Sequence, residues 1–166
     1  GTLEQLLVMP FTSLEIILGK SLPVILVGMA DFSLLLGVVH FAFGVPVRGS
    51  LLLLFILALG YTMVELGKGM FISVISRNQH QAFLLVFMVG MIDFMFTGYA
   101  APVESMPRIL QLTAQLVPAH HWLNILRGLL LKGAGLPTLW PSVAALILLG
   151  LLITAVSLRF IRRALD

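Results

Sequence analysis

Residues 141–158 read PSVAALILLGLLITAVSL, eighteen positions without a charged side chain. A helix needs about 20 apolar residues to cross roughly 30 Å of hydrocarbon. Trp140 before this run and Phe160, just beyond Arg159, extend the apolar segment to that length. Such a segment is typical of a transmembrane helix. It indicates that lipid surrounds at least this part of the chain.

The composition of the 166 residues agrees with a membrane protein. Hydrophobic residues make up 60% and charged residues 10%, whereas soluble domains carry about 25% charged residues; the mean hydropathy is +1.10. The formal charge is +3, but apart from the arginines at positions 159, 162 and 163 the basic residues are scattered singly, which argues against a nucleic-acid interface. Because the sequence has no cysteine, disulfides and thiolate metal sites are excluded.

Three further segments reach membrane length, so the sequence predicts an all-α, polytopic membrane protein with four transmembrane helices. In chain order the predicted spans are residues 21–45, 50–76, 81–101 and 141–160. The first two connections are only turns, and short loops make neighbouring helices antiparallel. We predict that residues 1–166 form a single membrane domain.

Residues 1–20 precede the first span and predict a short amphipathic helix followed by an elbow. Thr2 and Gln5 have the spacing of a capping box, the leucines at positions 3, 6 and 7 share one face, and Pro10 ends the helix. A second helix then leads through Lys20 into the first span, where Pro23 should bend it. A helix on the membrane surface is a segment on which a soluble partner could act.

The third connection, residues 102–140, is too long for a turn and too apolar for a disordered linker. Ile109, Leu112 and Leu116 recur at helical spacing, and a second helical stretch follows Pro118 and ends near Lys132. We predict a helical hairpin that is either interfacial or re-entrant. Backbone that does not span the membrane survives at membrane depth only where protein or a wet cavity covers it.

Basic residues near the ends of the spans predict the orientation. Lys20, Arg77 and the arginines at positions 159, 162 and 163 fall on one side, whereas four basic residues are spread over the other side. We therefore predict a multi-pass cell-membrane protein with both ends of this chain in the cytoplasm and the hairpin outside.

Four ionisable residues lie inside the predicted spans: Asp31, Glu65, Lys68 and Asp93. Each costs about 2.5–3.5 kcal/mol at the centre of a membrane helix, so none should face lipid. One interpretation is that Asp31, Glu65 and Asp93 line a substrate or ion path. The other is purely structural: the polar residues form hydrogen bonds between helices, Glu65 and Lys68 neutralise each other at i, i+3, and Lys68 stretches to the interface.

The remaining motifs support neither catalysis nor cofactor binding. Residues 19–21 (Gly-Lys-Ser) match the end of a phosphate-binding loop, but Leu14 stands where that motif needs glycine. His120 and His121 are adjacent, so on a helix they point about 100° apart and share one metal ion poorly. We assign them to packing beside Trp122 at the membrane interface, and we predict no enzyme activity, no cofactor and no metal.

Several stretches together resemble the membrane subunits of ABC-2 type exporters. They are residues 1–10 (GTLEQLLVMP), residues 98–107 (GYAAPVESMP), residues 127–128 with 132–135 (RG and KGAG), and residues 140–141 (WP). The resemblance covers essentially the whole chain. It implies the C-terminal part of a permease, corresponding to spans three to six of six.

The resemblance also implies a function and partners. The chain would belong to the transmembrane permease of an ATP-driven exporter of the bacterial inner membrane, in contact with lipid, a second permease copy and an ABC ATPase domain or subunit. ATPase coupling would fall to Thr2, Leu3, Glu4, Gln5, Leu6 and Leu7. The outer hairpin would include Pro102, Glu104, Pro107, Pro118 and Arg127.

Two other functions stay open. A proton- or ion-coupled secondary carrier could use Asp31, Glu65 and Asp93 for coupling, although the sequence has no internal repeat and no matching pair of Gly/Pro-interrupted spans. A non-transporting membrane scaffold would use the polar residues for assembly alone. The intramembrane charges are not part of the family pattern, and they indicate a cationic or amphipathic cargo.

Overall fold

A computed structural model describes residues 13–165 of the chain, with side chains from residue 19 to residue 160. All of its regular elements are helical, which confirms the all-α class. In chain order they are α1 (Ser13–Phe41), α2 (Leu51–Ile75), α3 (Gln79–Phe96), a 3₁₀ turn (Val103–Ser105), α4 (Arg108–Ala114), α5 (Pro118–Arg127), a π-helical turn (Gly128–Lys132) and α6 (Leu136–Leu165). The amphipathic helix predicted for residues 1–10 lies outside the described residues.

In the described part of the chain, four helices are long and apolar enough to cross a membrane: Gly19–Phe41, Leu51–Ile75, Gln79–Phe96 and Leu136–Phe160. This confirms the prediction of four transmembrane helices. The first and third end before the predicted residues 45 and 101, because Gly44 and Gly98 take positive φ angles of 65° and 81° in the turns that follow. The last begins at Leu136 rather than at residue 141, since Pro137 suits the first turn of a helix.

The α2–α3 turn is fixed by reciprocal capping. Asn78 Oδ1 accepts a hydrogen bond from the Gln81 backbone N–H at 2.8 Å, and Gln81 Oε1 accepts one from the Arg77 N–H at 2.8 Å. At the other end of α2, Ser50 Oγ accepts from the Leu53 N–H at 3.3 Å. These bonds satisfy donors that a helix start otherwise leaves unpaired.

Contacts with α2 give the direction of its neighbours. The rings of Phe32 on α1 and Phe55 on α2 are 5.6 Å apart, whereas Met29, earlier on α1, lies against Thr62, later on α2. Helices α1 and α2 are therefore antiparallel, as the short connection predicted.

Helix α6 runs parallel to α2. Ser157 Oγ donates to the Gly67 carbonyl at 2.9 Å, and one turn further along, the rings of Phe160 and Phe71 lie 5.5 Å apart. The basic residues predicted to share one side, Lys20, Arg77 and Arg159, consequently lie at the same end of the bundle.

The tightest packing joins α2, α5 and α6. Leu54, Ile125 and Leu129 are each at most 1% exposed. A Cβ at Gly150 of α6 would lie 2.7 Å from Val64 Cγ2 on α2, so glycine permits this approach. Close approach at small residues is how helices associate in lipid, where the hydrophobic effect between them is absent.

Candidate functional site

An ionic cluster links α2 to α3 inside the spans; we call Glu65, Lys68 and Asp93 the charge cluster. Lys68 Nζ donates a hydrogen bond to Asp93 Oδ2 at 2.6 Å and forms an ion pair with Glu65 Oε1 at 2.7 Å. The side chain of Lys68 is 14% exposed and that of Asp93 21%. Two carboxylates share one ammonium, which leaves a formal charge of −1.

The local helix geometry explains half of this cluster. Glu65 and Lys68 are three residues apart on α2 and so occupy one face, which confirms their predicted pairing. The prediction that Lys68 stretches to the interface is wrong. Asp93, in the last turn of α3, offers a charged acceptor within the protein, so the ammonium has no need to reach water.

Asp31 does not join the charge cluster. It lies on an exposed part of α1, and its carboxylate forms no hydrogen bond or ion pair with residues 19–160, whose side chains the structure describes. Of the three carboxylates predicted to form a polar cluster, the structure brings together Glu65 and Asp93 through Lys68. A role of these residues in a substrate path stays a prediction.

An aromatic stack lies beside the charge cluster. Tyr61 is one turn before Glu65 on α2, and the indole of Trp122 stacks on its ring with centroids 5.1 Å apart and planes at 6°. Phe32 of α1 meets the edge of the same indole at 5.9 Å. Ten residues separate Tyr61 from Leu51 at the start of α2, so the stack lies about 15 Å along that helix.

The position of Trp122 differs from the one that the sequence predicted. The sequence placed it at the membrane–water interface, because tryptophan is enriched there. It instead stacks on Tyr61, about halfway along α2. An aromatic pair of this kind contributes about 0.5–1.5 kcal/mol of stability in addition to the burial of its apolar surface. The aromatic side chains at Phe32 and Tyr61 were visible in the sequence, but nothing in their spacing indicated a shared contact.

The C-terminal end of α5 lies at the same level along the bundle as the N-terminal end of α2. The backbone N–H groups of Arg48 and Gly49 donate to the carbonyls of Leu130 and Leu129 at 3.2 and 2.9 Å. Gly133, with φ 61°, then ends the π-helical turn, and α6 follows. The second half of α5, from Trp122 onward, therefore runs from the Tyr61 level toward the start of α2.

The residues predicted for the outer hairpin occupy its turns and helix ends. Pro102 precedes the 3₁₀ turn that contains Glu104, Pro107 precedes α4, Pro118 opens α5, and Arg127 closes it. Arg127 Nη2 donates to the Gly98 carbonyl at 3.3 Å and so ties the end of α5 to the end of α3.

The two adjacent histidines are buried, as expected for residues that pack beside Trp122. His120 and His121 are 7% and 5% exposed; His120 Nε2 lies 3.2 Å from Asn124 Nδ2, and His121 Nε2 lies 2.8 Å from the Gln115 carbonyl. Burial lowers the pKa of His120, outside the four spans, and the neighbouring His121 lowers it further. Among the described residues, no group of three or more metal-binding side chains comes together.

The residues predicted for ATPase coupling, at positions 2–7, lie outside the described part of the chain. Their role rests on the sequence alone.

Known proteins similar to this chain are membrane permeases. The ABC-2 type transporter family matches residues 1–131. The probable multidrug ABC transporter permease YbhR of Escherichia coli is 35% identical over 149 residues, which cover 90% of this chain and 40% of that protein. The inner membrane transport permease YhhJ of the same organism is 34% identical over 153 residues, with the same two coverages.

A eukaryotic relative is more distant. The ABC transporter G family member 20 of Dictyostelium discoideum is 28% identical over 153 residues, which cover 92% of this chain and 21% of that protein. No solved structure matches the chain significantly. The chain spans about 40% of the length of its bacterial relatives YbhR and YhhJ. Since the family match covers most of its residues and its spans are those of a multi-pass membrane protein, the chain belongs to the ABC-2 type transporter family.

Proposed function

We propose that this chain is part of the membrane permease of an ATP-driven exporter of the bacterial inner membrane. Its family and the printed names of its relatives support this proposal. The chain carries no nucleotide-binding motif of its own, so a partner ABC ATPase supplies the energy. That partner acts on residues 1–10 at the cytoplasmic face, and a second permease copy completes the pathway.

The cargo in this proposal is cationic or amphipathic, and the observation that carries it is the charge cluster. Lys68 neutralises only one of the two carboxylates beside it. A remaining negative charge at membrane depth is costly, and a bound cation or a proton would balance it. The Tyr61 and Trp122 rings next to it supply aromatic surface that favours organic cations.

In the same proposal α5 is a re-entrant helix. Its Trp122 meets α2 about 15 Å from Leu51, roughly half of a 30 Å hydrocarbon layer. The helices around it cover its polar backbone, which is the condition for non-spanning structure at that depth.

The test uses inside-out membrane vesicles that contain the complete exporter, a cationic dye and an uncoupler that removes the proton gradient. We expect dye uptake that depends on ATP and persists without the gradient. Glu65→Gln and Asp93→Asn should each lower uptake about tenfold at wild-type expression, the effect of roughly 1.4 kcal/mol. Asp166→Asn removes a carboxylate far along the chain and is the matched control.

Two results would contradict the proposal. Uptake that follows the proton gradient without ATP would indicate a secondary carrier, for which the unpartnered Asp31 would be a coupling group. Wild-type uptake by both cluster variants would show that the charge cluster serves only to join α2 and α3.

A further inference from the structure

A groove lies between the end of α2 and the start of α3, at the opposite end of the bundle from Gly49. We call it the α2–α3 groove. Its volume is about 310 Å³, and its wall is polar at the turn and apolar further along the helices. Nothing in the proposed transport step uses this space.

The polar end of the groove is built around Arg77. The side chain of Arg77 is exposed, and its guanidinium forms no hydrogen bond or ion pair with any side chain that the structure describes. The exposed Ser73 lies one turn earlier on the same wall. Lys20 and Arg159 lie at this end of the bundle as well, so a negatively charged group is favoured there.

The apolar end continues along the membrane-spanning part of the helices. Ile72 of α2 faces Ala82 and Val86 of α3 across the groove. Gly69 extends the space further, because a Cβ placed on it would meet no atom within 4 Å. An apolar groove wall of this kind suits a hydrocarbon chain.

We propose that the α2–α3 groove binds an anionic phospholipid. The phosphate lies against Arg77 and Ser73, since a guanidinium matches phosphate geometry with two parallel hydrogen bonds. An acyl chain lies along Ile72, Gly69 and Val86. A soluble anion would leave the apolar wall uncovered. A zwitterionic phospholipid carries a cation beside its phosphate, which Arg77 and the other basic residues at this end of the bundle would repel; basic pockets between membrane helices are known lipid headgroup sites.

Native mass spectrometry of the full chain in detergent tests this proposal. The chain is titrated with phosphatidylglycerol and with phosphatidylcholine that carry identical acyl chains. One basic side chain near the membrane surface is worth a factor of about five, so phosphatidylglycerol should be retained about fivefold better by the wild type. Arg77→Gln should bring this preference close to one.

Gly69→Leu keeps every charge and fills the apolar end of the groove, so it should lower the retention of both lipids. This variant also tests the proposal if Arg77→Gln does not fold. Arg108→Gln, an exposed arginine at the start of α4, is the matched control and should retain the fivefold preference. Equal retention of the two lipids by the wild type would overturn the proposal. Wild-type retention by Arg77→Gln or by Gly69→Leu would overturn it too.

Discussion

Lys68 holds two carboxylates inside a membrane span, and removing its ammonium should be the most costly single change in the charge cluster. Lys68→Met leaves Glu65 and Asp93 side by side without a cation. Each must then be protonated or expose its charge, at about 2.5–3.5 kcal/mol per charge. We expect the free energy of unfolding in mixed micelles to fall by about 2–3 kcal/mol.

Asp93→Asn keeps the Glu65–Lys68 pair and should cost only about 1 kcal/mol, the range of a polar contact between membrane helices. Lys132→Met removes an exposed lysine and is the control. If Lys68→Met unfolds at the same denaturant concentration as Lys132→Met, the charge cluster does not stabilise the fold.

Sequence spacing predicted the Glu65–Lys68 pair of the charge cluster but not the Lys68–Asp93 pair. Glu65 and Lys68 are three positions apart, and helix periodicity alone makes them neighbours. Lys68 and Asp93 lie on different helices, 25 positions apart. Their contact depends on how far α3 is shifted along α2, which single-helix patterns do not encode. The free carboxylate of Asp31 was unpredictable for the same reason.

His120 should make stability depend on pH. Burial lowers its pKa from an ordinary 6.5, helped by His121, while the backbone carbonyls of Phe96 and Thr97 and the charge of Glu104 oppose the shift. The unfolded chain therefore binds a proton more readily than the folded chain. Stability should be complete above about pH 6.5 and should fall as pH drops from there toward the lower pKa of the folded state.

We expect the melting temperature of the wild type to fall between pH 7.5 and pH 5.5, and that of His120→Gln to fall less. Glutamine can still accept a hydrogen bond from Asn124, so the variant removes the titration rather than the contact. His80→Gln changes an exposed histidine and should behave as the wild type. An equal fall in His120→Gln would exclude His120 as the titrating group.

At the scale of elements, the junction between Gly49 and the π-helical turn fixes α5 on α2. A Cβ on Gly49 would lie 2.7 Å from the Leu129 carbonyl oxygen, which already accepts the Gly49 N–H at 2.9 Å. Neither atom can move without loss of that bond. Gly49→Ala should therefore lower the free energy of unfolding by about 1–3 kcal/mol, the usual cost of overpacking.

Gly60→Ala is the matched control, because nothing lies within 4 Å of a Cβ at that position of α2. It should raise stability by up to about 1 kcal/mol, since alanine is the better helix former. Thermal unfolding of the two variants in one detergent gives both values. Equal effects of the two substitutions would mean that the Gly49–Leu129 contact is not close in the folded protein.

The membrane-spanning helices were the part of this fold that the sequence predicted best. Apolar runs of membrane length revealed all four spans, because composition alone decides whether a helix can cross lipid. The ends were less accurate where the turn geometry at Gly44 and Gly98 intervenes. The packing of Trp122 was not predictable, since the preference of tryptophan for interfaces competes with its stacking on Tyr61.

At the scale of the whole molecule, the four spans divide into two pairs. In the most apolar 18-residue stretch of α2, and in that of α6, 22% of the residues are buried inside the protein. The corresponding fraction is zero in α1 and 6% in α3. Helices α2 and α6 form the packed centre, while α1 and α3 present large apolar side chains such as Leu34 and Phe87. Such surfaces suit contact with lipid or with further membrane helices, and the periodicity of one chain does not distinguish the two.

Coupling to an ATPase is the prediction that concerns the whole assembly. The sequence predicts an apolar face for residues 1–10 and resembles a coupling helix there, so we expect this segment to receive the motion of the motor. Two conformations of the permease then differ in affinity for the two states of the ATPase, which is the condition for ATP to drive transport. Leu6→Asp or Glu4→Lys should weaken this contact without affecting the spans.

In vesicles that contain the complete exporter, both variants should keep wild-type levels in the membrane and lower ATP-dependent export about tenfold. A tenfold loss lies within the 1–3 kcal/mol typical of coupling between two sites. ATP hydrolysis should fall much less, so the number of ATP molecules used per exported molecule rises. Leu6→Met keeps the apolar contact, and Asp166→Lys makes the charge change of Glu4→Lys at the other end; both should export normally. Wild-type export by Leu6→Asp and Glu4→Lys would place the coupling contact elsewhere.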